Sequence, residues 1–284
     1  MRPAPYDPKT DARLSRAAPA QGLEEDAEVV AFAQPARVVR ASRRDLDPRM
    51  RLFCFPHAGG NAGAYRDWPR GLPKGIEVCP IDLPGRRARW AERPYRAWEP
   101  LVRDVARALR GWLDRPFVFF GHSLGSLIAF EVARELRRGG RPLPRQLYAS
   151  AHRAPQLAGD GEPLHELDDA RLVDLVCRRH GAIPPHIAAQ PEVLRPLLPA
   201  LRADLEIHAS YRYRPEPPLA CAVSALGGAN DPLATAEQLW AWRDQAAGPF
   251  ALRMFNGGHF YLQAHESNVL SVMAGDLEET ATAA

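Results

Sequence analysis

Phe117-Val118-Phe119-Phe120-Gly121-His122-Ser123-Leu124-Gly125-Ser126 is the stretch that decides how this chain is read. Its first four residues are an apolar, β-favouring run. From residue 124 to 138, apolar side chains recur at helical spacing. A strand, a G-x-S-x-G turn and a helix in that order make a nucleophile elbow, a turn sharp enough to lift a serine hydroxyl off the end of a sheet. Gly121 and Gly125 supply the small neighbours such a turn needs. The helix behind it points its first N–H groups at any negative charge that develops there. Ser123 is the candidate nucleophile, and the Leu124 N–H is one candidate oxyanion donor.

The same alternation continues on both sides. Short buried strands are expected at residues 52–55 (ended by Pro56), 76–83 (stopped by Pro84-Gly85), 146–150, 222–226 and 250–255. Between them fall helical patterns at 65–68, 100–114, 235–245 and 262–277. In the second of these, Leu101, Val105, Leu109 and Trp112 are spaced by four, four and three. Strands alternating with helices predict an α/β chain with a mainly parallel sheet flanked by helices on both faces. With the elbow, this is the α/β-hydrolase fold. Residues 153–217 break the rhythm. They hold helical patterns at 168–179 and 192–211 and proline clusters, with no strand pattern. They are expected to form a helical lid insertion that covers the elbow and shapes an acyl pocket.

Bulk properties narrow the classes. The chain has 284 residues, 46% of them hydrophobic, enough for one large domain. A net charge of +3 gives a nucleic-acid partner no global support. No apolar run approaches a membrane span. Cys54, Cys79, Cys177 and Cys221 are far apart without C-x-x-C spacing, and read as free thiols rather than metal ligands. Residues 1–46 are rich in Pro, Ala and charge and are expected to be a disordered extension, with Val38-Val39 as a candidate edge-strand remnant. Residues 47–284 form the expected hydrolase domain. Without a secretory pattern at the N-terminus, a cytoplasmic location is expected. The chain is expected to be a monomer.

A serine hydroxyl needs a base, and the base needs an orienting acid. In this fold the order along the chain is serine, acid, histidine. Asp231 follows the strand at 222–226 in Gly227-Gly228-Ala229-Asn230-Asp231-Pro232 and is the candidate acid. His259 follows the last strand in Asn256-Gly257-Gly258-His259 and is the candidate base. The second oxyanion donor is assigned to the Ala58 N–H, in the loop Pro56-His57-Ala58-Gly59-Gly60. His57 is either a substrate contact or a hydrogen-bonded loop residue. His122 is expected to pack beside the elbow, and His208 falls in the lid.

Together, Phe55-Pro56-His57-Ala58-Gly59-Gly60, Leu83-Pro84-Gly85-Arg86, the elbow, Ala129-Phe130-Glu131, Ala200-Leu201-Arg202-Ala203-Asp204 and Gly257-Gly258-His259-Phe260 resemble the type II thioesterases of polyketide and nonribosomal peptide biosynthesis. The resemblance spans roughly residues 51–277. It implies hydrolysis of acyl groups from the phosphopantetheine arm of acyl or peptidyl carrier proteins, either to clear aberrant units or to release a precursor acid. It implies no cofactor of the enzyme's own, because phosphopantetheine belongs to the substrate. Where many relatives carry an acidic residue after Pro-Gly-Arg, this chain reads Gly85-Arg86-Arg87-Ala88-Arg89, with Arg93 nearby. That basic segment is either a docking site for acidic carriers or a solvated loop. The alternatives are a general carboxylesterase of small esters, or a carrier-binding scaffold with a vestigial site.

Overall fold

Six strands lie in the order β2-β1-β3-β4-β5-β6. They are β1 Met50–Phe55, β2 Ile76–Pro80, β3 Phe117–His122, β4 Gln146–Ser150, β5 Ala222–Gly228 and β6 Phe250–Phe255. Every pairing between them is parallel. The computed structural model describes residues 38–41, 47–159, 163–178 and 190–282. All belong to one compact unit, residues 33–284.

A parallel sheet covered on both faces needs apolar residues at nearly every strand position, which is why its strands read as unbroken hydrophobic runs. Successive side chains serve opposite faces. Phe53, Phe55, Phe117, Phe119, Val223 and Ala225 face one layer. There they meet α1 (Trp98–Leu109) and α2 (Leu124–Arg138). Leu52, Cys54, Val118, Phe120 and Tyr148 face the other, against Tyr65, Trp68 and the apolar side of the last helix, Tyr261–Thr282. Cys54, Cys79 and Cys221 are buried free thiols, as expected. The side chain of Cys177 lies outside the described residues.

Between β4 and β5 the described residues contain no strand. They carry α3 (Asp169–Arg178), α4 (Pro191–Leu194) and α5 (Leu198–Ser210). Leu172, Val176, Leu198 and Leu201 make a small apolar cluster of their own, apart from the two faces of the sheet. The single helix expected at 192–211 is two helices. Pro199 would clash with the carbonyl four residues back in a continuous helix, so α5 restarts with that proline in its first turn. After β5 comes α6 (Ala236–Trp240), opened by a capping box on Thr235 and tightened into a 3₁₀ turn, Ala241–Gln245. The final helix is α7 (Tyr261–Thr282), kinked at His265. The helix expected at 65–68 is a pair of 3₁₀ turns, Ala62–Tyr65 and Trp68–Arg70.

The folded part reaches back beyond the boundary expected at residue 47. Val38 and Val39 are 1% and 3% exposed, and Val39 forms an antiparallel bridge with Ile81 beside β2. Residues 1–37 and 42–46 of the expected extension lie outside the described residues. Among the described residues, no helix is long and apolar enough to cross a membrane.

Candidate active site

Ser123 sits between β3 and α2 at φ 54° and ψ −124°. A non-glycine residue in such a conformation carries about 1–3 kcal/mol of strain and needs its surroundings to enforce it. Here the enforcement is steric. A Cβ on Gly121 would lie 2.2 Å from the Gly125 carbonyl oxygen, and one on Gly125 would lie 2.1 Å from that of Phe55. The glycines allow this approach, and hydrogen bonds then lock it. The Ser123 N–H donates to the Ser150 carbonyl at 2.7 Å. The Ser126 hydroxyl reaches both the Gly121 and the Ser150 carbonyls, at 2.8 and 2.9 Å.

Asp231 and His259 stand on the loops that follow β5 and β6. Those loops are joined by the Ala229 N–H to the Phe255 carbonyl at 2.7 Å and the Asn230 N–H to the Gly257 carbonyl at 2.9 Å. His259 Nδ1 is 2.8 Å from Asp231 Oδ2, and His259 Nε2 is 2.9 Å from Ser123 Oγ. The other carboxylate oxygen of Asp231 accepts the Leu233 N–H at 2.8 Å. With Nδ1 donating to the carboxylate, Nε2 turns its lone pair to the serine hydroxyl. Three residues chosen from separate loops of the sequence thus meet as a hydrogen-bonded line.

Two more imidazoles surround this line. His122 lies under the elbow, its Nδ1 2.8 Å from Ser150 Oγ, which is 2.7 Å from the Tyr261 hydroxyl. Burial pushes His122 well below the usual histidine range. His57 packs edge-on to Phe260 with ring centres 4.9 Å apart. Burial, aided by His259 and the Arg86 charge, lowers His57 from 6.5 to about 4. Both are neutral near pH 7 and add no charge beside His259.

A cavity of about 640 Å³ opens at Ser123, with Ala58 and Leu124 in its wall. Leu164, Leu175, Val176, Leu201 and Leu205 from the segment between β4 and β5 supply much of its apolar lining. His152 and His208 add a polar strip, their Nε2 atoms 3.0 Å apart. No group of three His, Cys, Asp or Glu side chains suited to a metal ion occurs among the described residues.

Leu124 is the first residue of α2, so its N–H has no acceptor within the helix. Ala58 lies in the turn His57 to Gly60, closed by the Gly60 N–H donating to the His57 carbonyl at 2.8 Å. Gly59 takes φ +73°, the left-handed value a type II turn requires at its third position. The Gly59 N–H donates to Asp204 Oδ2 at 2.8 Å. Arg86 grips the same carboxylate with two bonds, at 2.8 and 2.9 Å, and donates to the Gly60 carbonyl at 3.0 Å.

This corrects the reading of the basic segment. Arg86 is buried in the pair with Asp204, and Arg89 is buried against Glu92 and the Asp82 carbonyl. Neither can dock a carrier protein, and only Arg87 and Arg93 of that run reach the surface. The two partners fall in Leu83-Pro84-Gly85-Arg86 and Ala200-Leu201-Arg202-Ala203-Asp204, motifs to which the sequence alone assigns no role. Their joint presence is the one signal that could have paired them.

Residues 50–277 match the Thioesterase domain family. The chain is 38% identical over 247 residues to "Linear gramicidin dehydrogenase LgrE" of Brevibacillus parabrevis, covering 86% of this chain and 94% of that protein. It is 40% identical over 220 residues to "Thioesterase PikA5" of Streptomyces venezuelae, covering 76% and 78%. Its fold superposes with a TM-score of 0.78 on the type II thioesterase BorB from the borrelidin biosynthetic cluster, at 36% identity, covering 84% of this chain and 96% of that one. The first name is a dehydrogenase's; the family and the other two names are those of thioester hydrolases. The chain belongs to the thioesterase family of α/β-hydrolase enzymes, among the type II thioesterases of polyketide and nonribosomal peptide pathways.

Proposed function

We propose that this enzyme hydrolyses acyl thioesters held on the phosphopantetheine arm of carrier proteins, with Ser123 as nucleophile, His259 as general base and acid, and Asp231 as the orienting carboxylate. One observation carries the reading: His259 lies within hydrogen-bond reach of Ser123 and of Asp231 at the mouth of an apolar cavity. His259 Nε2 takes the Ser123 proton as Oγ bonds to the thioester carbon. The developing oxyanion is received by the Ala58 and Leu124 N–H groups. The carbon–sulfur bond breaks and the proton on Nε2 passes to the leaving pantetheine sulfur. Water then gives a proton to Nε2 and bonds to the acyl carbon. The acid leaves as the proton returns to Ser123 Oγ. The leucine lining suits apolar acyl chains, and the proposed role is removal of aberrant units or release of a precursor acid. The dehydrogenase name of one relative is not carried over, because the family match and the site geometry both favour hydrolysis.

The test is intact-protein mass spectrometry of carrier proteins loaded with acetyl, propionyl, malonyl or aminoacyl groups. Loss of acyl mass with the native enzyme and none with Ser123→Ala is the expected result. Hydrolysis of small free esters with no action on any loaded carrier would hand the site to a general carboxylesterase. Equal loss with Ser123→Ala would remove the serine mechanism.

A further inference from the structure

We propose that Arg86 and Asp204 are positioning residues that aim the Ala58 N–H and tie the oxyanion hole to helix α5, in the segment between β4 and β5 that covers the cavity at Ser123. The inference rests on the reading of Ala58 as an oxyanion donor.

The geometry runs through one peptide plane. The His57 carbonyl and the Ala58 N–H belong to the same planar unit and point in opposite directions. Fixing the carbonyl therefore fixes the direction of the N–H. The carbonyl is held by the Gly60 N–H at 2.8 Å. That bond survives only while the turn keeps its shape, and two further polar groups of the turn are held by the ion pair. Asp204 takes the Gly59 N–H, and Arg86 takes the Gly60 carbonyl. Arg86 also donates to the Pro84 carbonyl at 3.2 Å, so its own loop is fixed in the same step.

The partners are built for rigidity. Each side chain is 4% exposed, and the guanidinium meets the carboxylate with two parallel bonds. A buried pair of this kind adds little net stability over apolar residues, which is a reason to look for another role. Asp204 belongs to α5, whose Leu201 and Leu205 line the cavity. Leu201 also presses on the turn: a Cβ on Gly59 would meet its Cδ1 at 3.1 Å. The helix that shapes the acyl pocket thus holds the acceptor that shapes the hole. Displacing α5 would take the carboxylate from the turn and leave Ala58 unaimed.

The experiment compares the native enzyme with Asp204→Asn, which keeps the shape and an acceptor oxygen but loses the charge, and with Arg86→Lys, which keeps the charge but loses the fork. Turnover of an acyl-carrier substrate is measured beside affinity for a boronic acid that forms a tetrahedral adduct on serine. Labelling of Ser123 by a fluorophosphonate is read by mass. The expected result is a fall in kcat of about 10- to 100-fold, somewhat under the loss of a whole oxyanion donor. KM is expected to hold within about threefold, and boronate affinity to fall in parallel with kcat. Unchanged kcat in either folded variant, or a change confined to melting temperature, would overturn the proposal. If the native enzyme gives no adduct at Ser123, the proposed function falls and this inference falls with it. If Ser123 is labelled and Asp204→Asn turns over normally, only this inference falls.

Discussion

The two proposed oxyanion donors are held by opposite means. The Leu124 N–H is aimed by steric necessity: Gly121 and Gly125 let three backbone segments approach closer than any side chain permits, and hydrogen bonds between main-chain atoms close the turn. The Ala58 N–H is aimed by charge brought from afar. Arg86 and Asp204 are 118 residues apart in sequence, and Gly59 is 145 residues from the carboxylate it donates to. One N–H is rigid with the sheet, while the other is held through Asp204 of α5. A site assembled this way has one half built into the sheet, the permanent half, and one half held by α5.

That contrast can be broken at several points. The largest effect is expected from Ser123→Ala, which removes the proposed nucleophile and leaves both proposed donors in place. Turnover should fall on the order of 10⁶-fold with the fold intact, by analogy with other serine hydrolases. A circular dichroism melt alongside the carrier assay checks both halves of that statement. Gly125→Ala attacks the permanent half. Its Cβ would stand 2.1 Å from a backbone oxygen that cannot move without the sheet. Overpacking of this kind costs about 1–3 kcal/mol or more, so a lowered urea midpoint and loss of Ser123 labelling are expected together. A Gly125→Ala enzyme of native stability and activity would mean that the elbow is not sterically set. The Asp204→Asn variant, with its smaller expected loss, attacks the other half.

Acid probes both halves at once, through His122 beneath the elbow and His57 beside the turn. His57, and His208 in the cover, are lowered from 6.5 to about 4, in each case chiefly by burial. Between those values the unfolded chain binds more protons than the folded one, so stability rises with pH across the window and is lost as pH falls through it. Each such shift corresponds to roughly 3 kcal/mol at its acid end. The melting temperature should drop steadily from pH 6.5 to 4, and His57→Gln should flatten part of that slope. A melting temperature independent of pH over this range would contradict the burial of these rings. The smallest effect is expected for Arg93→Ala, an exposed arginine in the loop whose neighbours Arg86 and Arg89 are buried. Turnover of a small acyl thioester should stay within about twofold, because an exposed side chain contributes within a few tenths of a kcal/mol.

The elbow is legible in the sequence because its serine and the two glycines that admit it fall within five consecutive residues, Gly121 to Gly125. Asp231 and His259 are legible because strand ends and glycine loops mark their places along the chain. The alternating strands are legible because burial on both faces demands unbroken apolar runs. The Arg86–Asp204 pair is not. An arginine in an arginine-rich loop reads as solvated surface, and no local pattern says that a carboxylate from a distant helix will cover it. The break before α5 could have been read from Pro199, whose ring forbids a continuous helix, had helical periodicity not been followed across it.

The bridge between Val39 and Ile81 has a practical bearing on where this protein can be cut. The family match opens at residue 50, yet Asp82, fully buried, has Arg40 at 3.7 Å and Arg87 at 3.8 Å as its cations. Its other oxygen receives the Ala62 N–H at 2.8 Å, just beyond the turn that carries Ala58. An expression clone trimmed to the family boundary would discard two buried valines and half of the counter-charge of that carboxylate. The trimmed chain would lose its support beside the loop proposed to receive the oxyanion.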